Sequence, residues 1–231
     1  MAAIRTARQR AREELTLEIK EEARRQLAAE GAQRLSLRAV ARELGMVSSA
    51  LYRYFPSRDD LLTALIIDAY NALGERAESA VATAPEADAR ARWRALCHAV
   101  RDWAGANPHE YALVYGTPVP GYQAPRATVE PAARVALVLV AVMCGAPPAE
   151  RPQGRIPTGE LAEQLGSLAA QIAPELDAAV LARALIAWTQ LFGMVSFELF
   201  GHLVGSADPA GPFFAQAVEE MADFLGLPAS P

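Results

Sequence analysis

Between Ser36 and Arg58 the chain reads SLRAVARELGMVSSALYRYFPSR, two short helical patterns broken by one glycine. Leu37, Val40, Ala41 and Leu44 fall at i, i+3, i+4 and i+7, the apolar stripe of one helix face. Ser36 stands just before that stripe, where its side-chain oxygen can accept from an orphan backbone N–H. Gly45 follows the last apolar position, where a helix ends most easily in a left-handed residue. Ser48 or Ser49 is then expected to cap a second helix, Ser48 to Phe55, whose Leu51 and Phe55 face inward. Ser48, Ser49, Tyr52 and Arg53 are left facing outward. Two helices joined by a short turn containing glycine make a helix-turn-helix.

The neighbouring segments suit that motif. Leu15, Ile19, Ala23 and Leu27 recur every four residues and Gly31 ends the run, so a support helix is expected from Arg12, with Arg24 and Arg25 near solvent or phosphate. Residues 1 to 11 carry Arg5, Arg8 and Arg10 without an apolar stripe and read as a mobile basic arm. Pro56 closes the second helix. Ser57 opens a long one to about Ala82, with Asp59 and Asp60 in the first turn, where the helix dipole favours negative charge.

The remainder continues in Ala- and Leu-rich helical periodicity. No Asn-Gly hairpin or sustained apolar/polar alternation occurs, so the class is all-α. Hydrophobic residues make up 52% of the 231 positions, enough for a buried core. Through Asp60 the chain has twelve basic and nine acidic residues; beyond it, ten and eighteen. A basic end on an acidic body orients a molecule towards a polyanion. The longest uncharged apolar run, Val135 to Ala149, is shorter than the roughly 20 residues that span a bilayer. It reads as a buried helix, and no membrane is expected. The stretch MAAIRTARQRAREEL lacks the apolar core of a leader, so no signal peptide is expected, and Cys97 and Cys144 read as thiols in a reducing cytoplasm, in no metal-ligand spacing.

The run ALYRYFPSRDDLLTALI, behind SLRAVARELG and a helix ending at Gly31, resembles the DNA-binding domain of the TetR family of repressors over roughly residues 15 to 67. The resemblance matches Tyr52 to a phosphate-contacting tyrosine. It sets Tyr54 where many members have His and Arg58 where many have Lys, both still phosphate donors. Ser36, Ser48, Ser49, Tyr52, Arg53, Tyr54 and Arg58 are therefore the candidate DNA contacts, with Arg53 long enough to reach a guanine edge. Further on, WAGANPHEYALVYGTPVPGYQAP and AWTQLFGMVSFELFG resemble the ligand-binding domain of a TetR subgroup frequent in actinobacteria, with Phe192 where a His often precedes the glycine.

No phosphate-cradling loop, nucleophile elbow or zinc signature is present, His98, His109 and His202 are scattered, and neither an enzyme nor a cofactor is expected. The aromatics Trp103, Tyr111, Tyr115, Trp188 and Phe192 are candidates for an effector pocket, with Glu110 and Gln190 as polar partners. A helix from Asp177 to Val204 and a last one after Pro212 carry more apolar surface than one bundle hides. Gly193, Phe197, Gly201, Phe213, Val218 and Met221 are thus candidates for a homodimer interface. The expected division is residues 12–56 for DNA binding and 57–228 for ligand binding and dimerisation, with 57–82 connecting. The expected function is a cytoplasmic, dimeric, ligand-responsive repressor of a palindromic operator in double-stranded DNA. The alternative is a helical binding module whose helix-turn-helix no longer works.

Overall fold

The computed structural model of the protein describes residues 7–146 and 155–228. The first six residues of the expected basic arm, with Arg5, and residues 147–154 of the Pro/Gly/Arg-rich loop lie outside the described residues. Ten α-helices follow one another with no strand among the described residues: α1 (Ala7–Glu30), α2 (Leu37–Glu43), α3 (Ser48–Leu51), α4 (Arg58–Thr83), α5 (Ala89–Ala106), α6 (Pro108–Tyr115), α7 (Val129–Cys144), α8 (Glu160–Ile172), α9 (Ala178–Leu199) and α10 (Gly211–Leu225). They form two compact units, Met1–Tyr70 with Asn107–Val129, and Asn71–Ala106 with Glu130–Pro231. Besides the helix-turn-helix, the first unit holds the start of α4 and the α6 segment.

In the first unit, α1, α2, α3 and α4 enclose one core: Ile19, Ala23, Leu27, Val40, Ala41, Leu51, Phe55, Leu61, Leu62 and Leu65 are buried together. The apolar stripes of the sequence supply nearly all of it. At the end of α2, Gly45 adopts φ 64°, its N–H bonds to Arg42 O at 3.1 Å, and Met46 N–H bonds to Ala41 O at 2.8 Å. This pair of bonds is the Schellman closure, and it needs a residue in the left-handed region. Ser57 Oγ caps α4, accepting from Asp60 N at 3.1 Å. α1 starts at Ala7 rather than Arg12, so residues 7–11 of the expected arm are helical.

In the second unit α5, α9 and α10 carry most of the core. Trp93 is fully buried and donates from Nε1 to Val218 O at 2.9 Å. Arg90, almost buried, donates to Leu227 O at 2.9 Å and to Glu219 at 3.1 Å, and pairs with Asp223. Arg94 grips the same Glu219 at 2.5 and 2.8 Å. These bonds fasten α10 to α5. α4 and α7 meet where Arg134 donates to Glu78 at 2.6 and 2.8 Å and to Asn71 O at 2.9 Å. A Cβ on Gly74 would stand 2.7 Å from the Arg134 side chain, so only glycine leaves room for that crossing. The stretch Arg126–Cys144 and α9 are long and apolar enough to cross a bilayer by composition alone. Both contribute buried side chains to the second unit, Leu139 and Met143 from one and Leu181, Leu191 and Val195 from the other. Cys97 is buried there, and burial pushes its thiol well above the ordinary range, so it is inert as a nucleophile.

Helix α9 stops at Leu199 rather than Val204. Gly201 takes φ 79° and His202 N–H bonds to Phe197 O at 2.8 Å, a glycine stop of the same kind as at Gly45. Gly201, a candidate for the homodimer interface, therefore lies in the turn that ends α9 rather than within the helix.

Gly45→Ala should lower unfolding free energy by about 1–2 kcal/mol, the cost of holding an L-residue left-handed, measurable by urea denaturation. A pH dependence follows from Glu219. The hydrogen bond from Arg94 holds its carboxyl below the usual range, against the opposing effect of burial. A carboxyl depressed in the folded state stabilises above its unfolded pKa, and that stabilisation is lost as pH falls through the folded value. Thermal unfolding temperature should therefore drop below about pH 4.5, and Glu219→Gln should be less stable at neutral pH with a shallower acid slope.

Candidate nucleic-acid interface

The turn after Gly45 consumes Met46 and Val47 in reaching the next helix, so Val47, with extended backbone at ψ 136°, occupies the cap position of α3. Neither Ser48 nor Ser49 caps the helix, contrary to the sequence expectation. They fill its first two positions, and no side-chain cap bond forms there. The α-helical part ends at Leu51 rather than Phe55; the chain tightens through Arg53 N–H to Ala50 O at 3.2 Å and Tyr54 N–H to Leu51 O at 2.8 Å. Leu51 and Phe55 are buried, as their spacing requires, while Ser49, Arg53 and Tyr52 (41% exposed) face outward and Ser48 is half-buried. Among the described residues no hydrogen bond or ion pair engages the Arg53 guanidinium. Ser36 caps α2, accepting from Ala39 N at 3.4 Å, which leaves its O–H to donate.

Two residues beside this surface, Arg8 of the expected basic arm and Arg12, were not among the candidate contacts. Because α1 begins early, Arg8 and Arg12 lie one turn apart and border a groove of about 430 Å³ with Leu15, Met46, Arg53 and Tyr54. The Arg12 guanidinium sits 5.7 Å from the centre of the half-buried Tyr54 ring, a cation–π contact. The spacing of Arg8, Arg12 and Leu15 at i, i+4 and i+7 was the available signal.

Other cations of this unit are committed elsewhere. Arg58 donates to Ala32 O at 2.8 Å, Leu35 O at 3.1 Å and Gln33 O at 3.4 Å, and pairs with Asp59 at 3.4 Å. Its guanidinium ties down the turn between α1 and α2, which displaces the expected free phosphate contact. Arg24 is likewise drawn away from solvent, bridging Asp68 on α4 at 2.8 Å and Glu110 on α6 at 2.9 Å, while Lys20 reaches Asp68 at 2.9 Å. Glu110 is thus an ion-pair partner of α1.

The aromatic candidates divide between the two units. Tyr111 is buried in the first unit, its ring 5.2 Å from Tyr115, which meets Tyr70 edge-on at 5.9 Å. Burial raises the Tyr70 and Tyr115 phenols, keeping both neutral. Trp103, Trp188 and Phe192 belong to the second unit, the last two with ring centres 5.4 Å apart. Gln190 is exposed. Of the dimer candidates, Phe197 (55%) and Phe213 (45%) are exposed and Gly193 is half-buried. Val218 and Met221 are buried inside the unit at 1% and 9%, because α10 turns that face onto α5 and α9. Leu185, Ile186, Phe200 and Val204 are exposed instead.

With this geometry the chain can be compared with known proteins. Residues 19–65 match the bacterial regulatory proteins of the tetR family, and residues 93–221 match the tetracyclin repressor-like C-terminal domain. The HTH-type transcriptional regulator Rv1816 of Mycobacterium tuberculosis (strain ATCC 25618 / H37Rv) is 41% identical over 221 residues, 90% of this chain and 92% of that protein. The chain belongs to the TetR family. The HTH-type transcriptional regulator Mb1846 of Mycobacterium bovis matches with the same identity and coverage. Among solved structures, the regulatory protein SCO4313 superposes with a TM-score of 0.80 at 34% identity, over 94% of this chain and 100% of that one. A Rhodococcus sp. RHA1 protein of unknown function superposes at 0.69 and 28% identity, covering 92% and 95%. The protein is a TetR-family transcriptional regulator.

Family membership sharpens the test of Arg58, because a lysine at that position could not make the same planar fork to several carbonyls. Arg58→Ala and Arg58→Lys should both lower stability, the former by about 1–3 kcal/mol, as measured by chemical denaturation. The salt dependence of DNA binding by the folded variants should keep the wild-type slope, whereas a direct phosphate contact would reduce it by about one unit.

Proposed function

We propose that this regulator is a cytoplasmic, homodimeric repressor that binds a palindromic operator and is released by a small apolar or aromatic effector. Residues 12–56 read the DNA, and residues 57–228 bind effector and dimerise, with 57–82 connecting. The observation that carries this reading is the exposed face of α3 and the turn after it. Ser48 and Ser49 are small enough for close approach to a major groove, Arg53 can reach a guanine edge, and Tyr52 can donate to phosphate. Tyr54, carrying Arg12, borders the same face, and the Ser36 O–H at the start of α2 is a further candidate phosphate donor. Arg8 and Arg12 add positive charge where a phosphate backbone would pass.

The exposed apolar side chains of the second unit support self-association. Ile186, Gly193 and Phe197 recur at i, i+7 and i+11 on one face of α9, and with the exposed Phe200 and Phe213 they are apolar positions that a second copy could cover isologously. A two-fold dimer calls for two half-sites about one helical turn apart, hence a palindrome. An effector that binds one arrangement of the dimer better than the other shifts the population away from DNA. The aromatic residues Trp103, Trp188 and Phe192 of the second unit are the proposed source of that preference.

Fluorescence anisotropy against DNA from upstream of the protein's own gene tests the reading. Arg53→Ala should cost about 1–3 kcal/mol in specific binding and relax base preference at one position. Tyr52→Phe should weaken binding to all sequences about equally. Unchanged binding by both variants would refute the proposed face. Phe197→Glu should give monomers in sedimentation velocity and lose operator binding.

A further inference from the structure

Among the described residues of the first unit, Val47 is the most exposed large apolar side chain, at 70%, ahead of Val129 and Leu17. It stands between Met46 and Ser48, at the leading end of α3.

Folding gives no reason for a valine there. The cap position favours Ser, Thr, Asp or Asn, whose side chain accepts from an orphan N–H, and valine is among its poorest occupants. No side-chain cap bond forms at α3, whereas Ser36 and Asp177 supply one at α2 and α9. An apolar residue in such a turn has two uses. It can pack back on the helix just closed, or forward on the fourth residue of the helix about to begin. Met46 stands at the position for both, partly buried against the core of the first unit. Val47 is left uncovered, and a local rule broken without gain to the fold is expected where function sits.

The chemistry of the side chain limits what it can read. It has no donor or acceptor, so the oxygens and nitrogens of base edges are closed to it. The apolar group that a base pair shows in the major groove is the thymine C5-methyl. A β-branched side chain holds few rotamers, so little freedom is lost on making that contact. The surroundings suit DNA: Ser49, Tyr52 and Arg53 are exposed just beyond it. Arg8, Arg12 and Arg53 gather positive charge around the groove that Met46 borders. A recognition helix meets base edges with its N-terminal residues, and Val47 leads them.

We propose that Val47 reads a thymine through its 5-methyl group and so fixes one base of each operator half-site. This rests on the DNA-binding role of α3 proposed above, and adds one base to those within reach of Arg53 and the two serines.

The half-site is first selected from a random duplex pool with the full-length protein. Each thymine is then replaced in turn by deoxyuridine, which pairs identically and lacks only the methyl. Fluorescence anisotropy should show a thymine in each half-site where the replacement weakens binding about fourfold, the contribution of one methyl withdrawn from water. Val47→Ala should bind the thymine and deoxyuridine duplexes equally at that position and keep the response to every other replacement. Val47→Ser separates this role from a structural one. The serine supplies the missing cap, so the urea midpoint should rise while the thymine preference is lost. No thymine sensitive to methyl removal, or a sensitivity that both variants keep, would overturn the inference. Arg53→Ala keeps the two proposals apart: weaker binding by that variant without any methyl effect leaves the DNA-binding face standing and removes only the role of Val47. Failure to select any sequence would overturn both.

Discussion

The left-handed turn at Gly45 is the constraint on which the DNA-facing surface depends. Its φ of 64° lets two backbone bonds close α2 within one residue, so Val47 caps the next helix and Ser48 and Ser49 occupy its first turn. Leu51 and Phe55 then anchor that helix in the core shared with α1 and α4. With one side pinned by burial, the other must present Ser49, Tyr52 and Arg53. A side chain at position 45 would have to pay for a strained backbone before any contact could form.

Charge in the first unit is divided between holding and reading. Arg24 spans carboxylates on two other helices and Arg58 ties three carbonyls of one turn, so neither guanidinium hangs free in solution. Among the described residues Arg53, Arg8 and Arg12 have no such carboxylate or carbonyl partners, and they sit around one groove. Around each of the partly buried pair, Arg24 and Arg58, several oxygens stand in for the water it has given up. The second unit follows the same logic where Arg90 and Arg94 share Glu219 and join α5 to α10. That attachment decides which face of α10 is left outward, and hence why Phe213 is exposed while Val218 is not.

Much of this molecule is legible from periodicity. The stripes Leu15–Leu27 and Leu37–Leu44, the stops at Gly31 and Gly45, and the Ser57 cap are local events, set by residues within one or two turns, and they occur where the spacing puts them. Leu51 and Phe55 face inward for the same reason. Helix ends were less legible: α3 ends four residues early and α1 starts five residues early, since terminal turns are decided by small differences between α, tight-turn and coil hydrogen bonding.

By itself, the sequence determined the all-helical class, the helix-turn-helix and its outward residues, because an amphipathic stripe and a glycine stop act over a few ångströms along one chain. Tertiary structure alone decided the partners of long polar side chains. Arg58 meets carbonyls 23 to 26 positions earlier and Arg24 meets Glu110 86 positions later, so no spacing rule assigns them. The same is true of Val218, turned inward by α5 and α9. Contacts between distant segments depend on how the helices pack, and that packing is a property of the folded core rather than of any stretch within it.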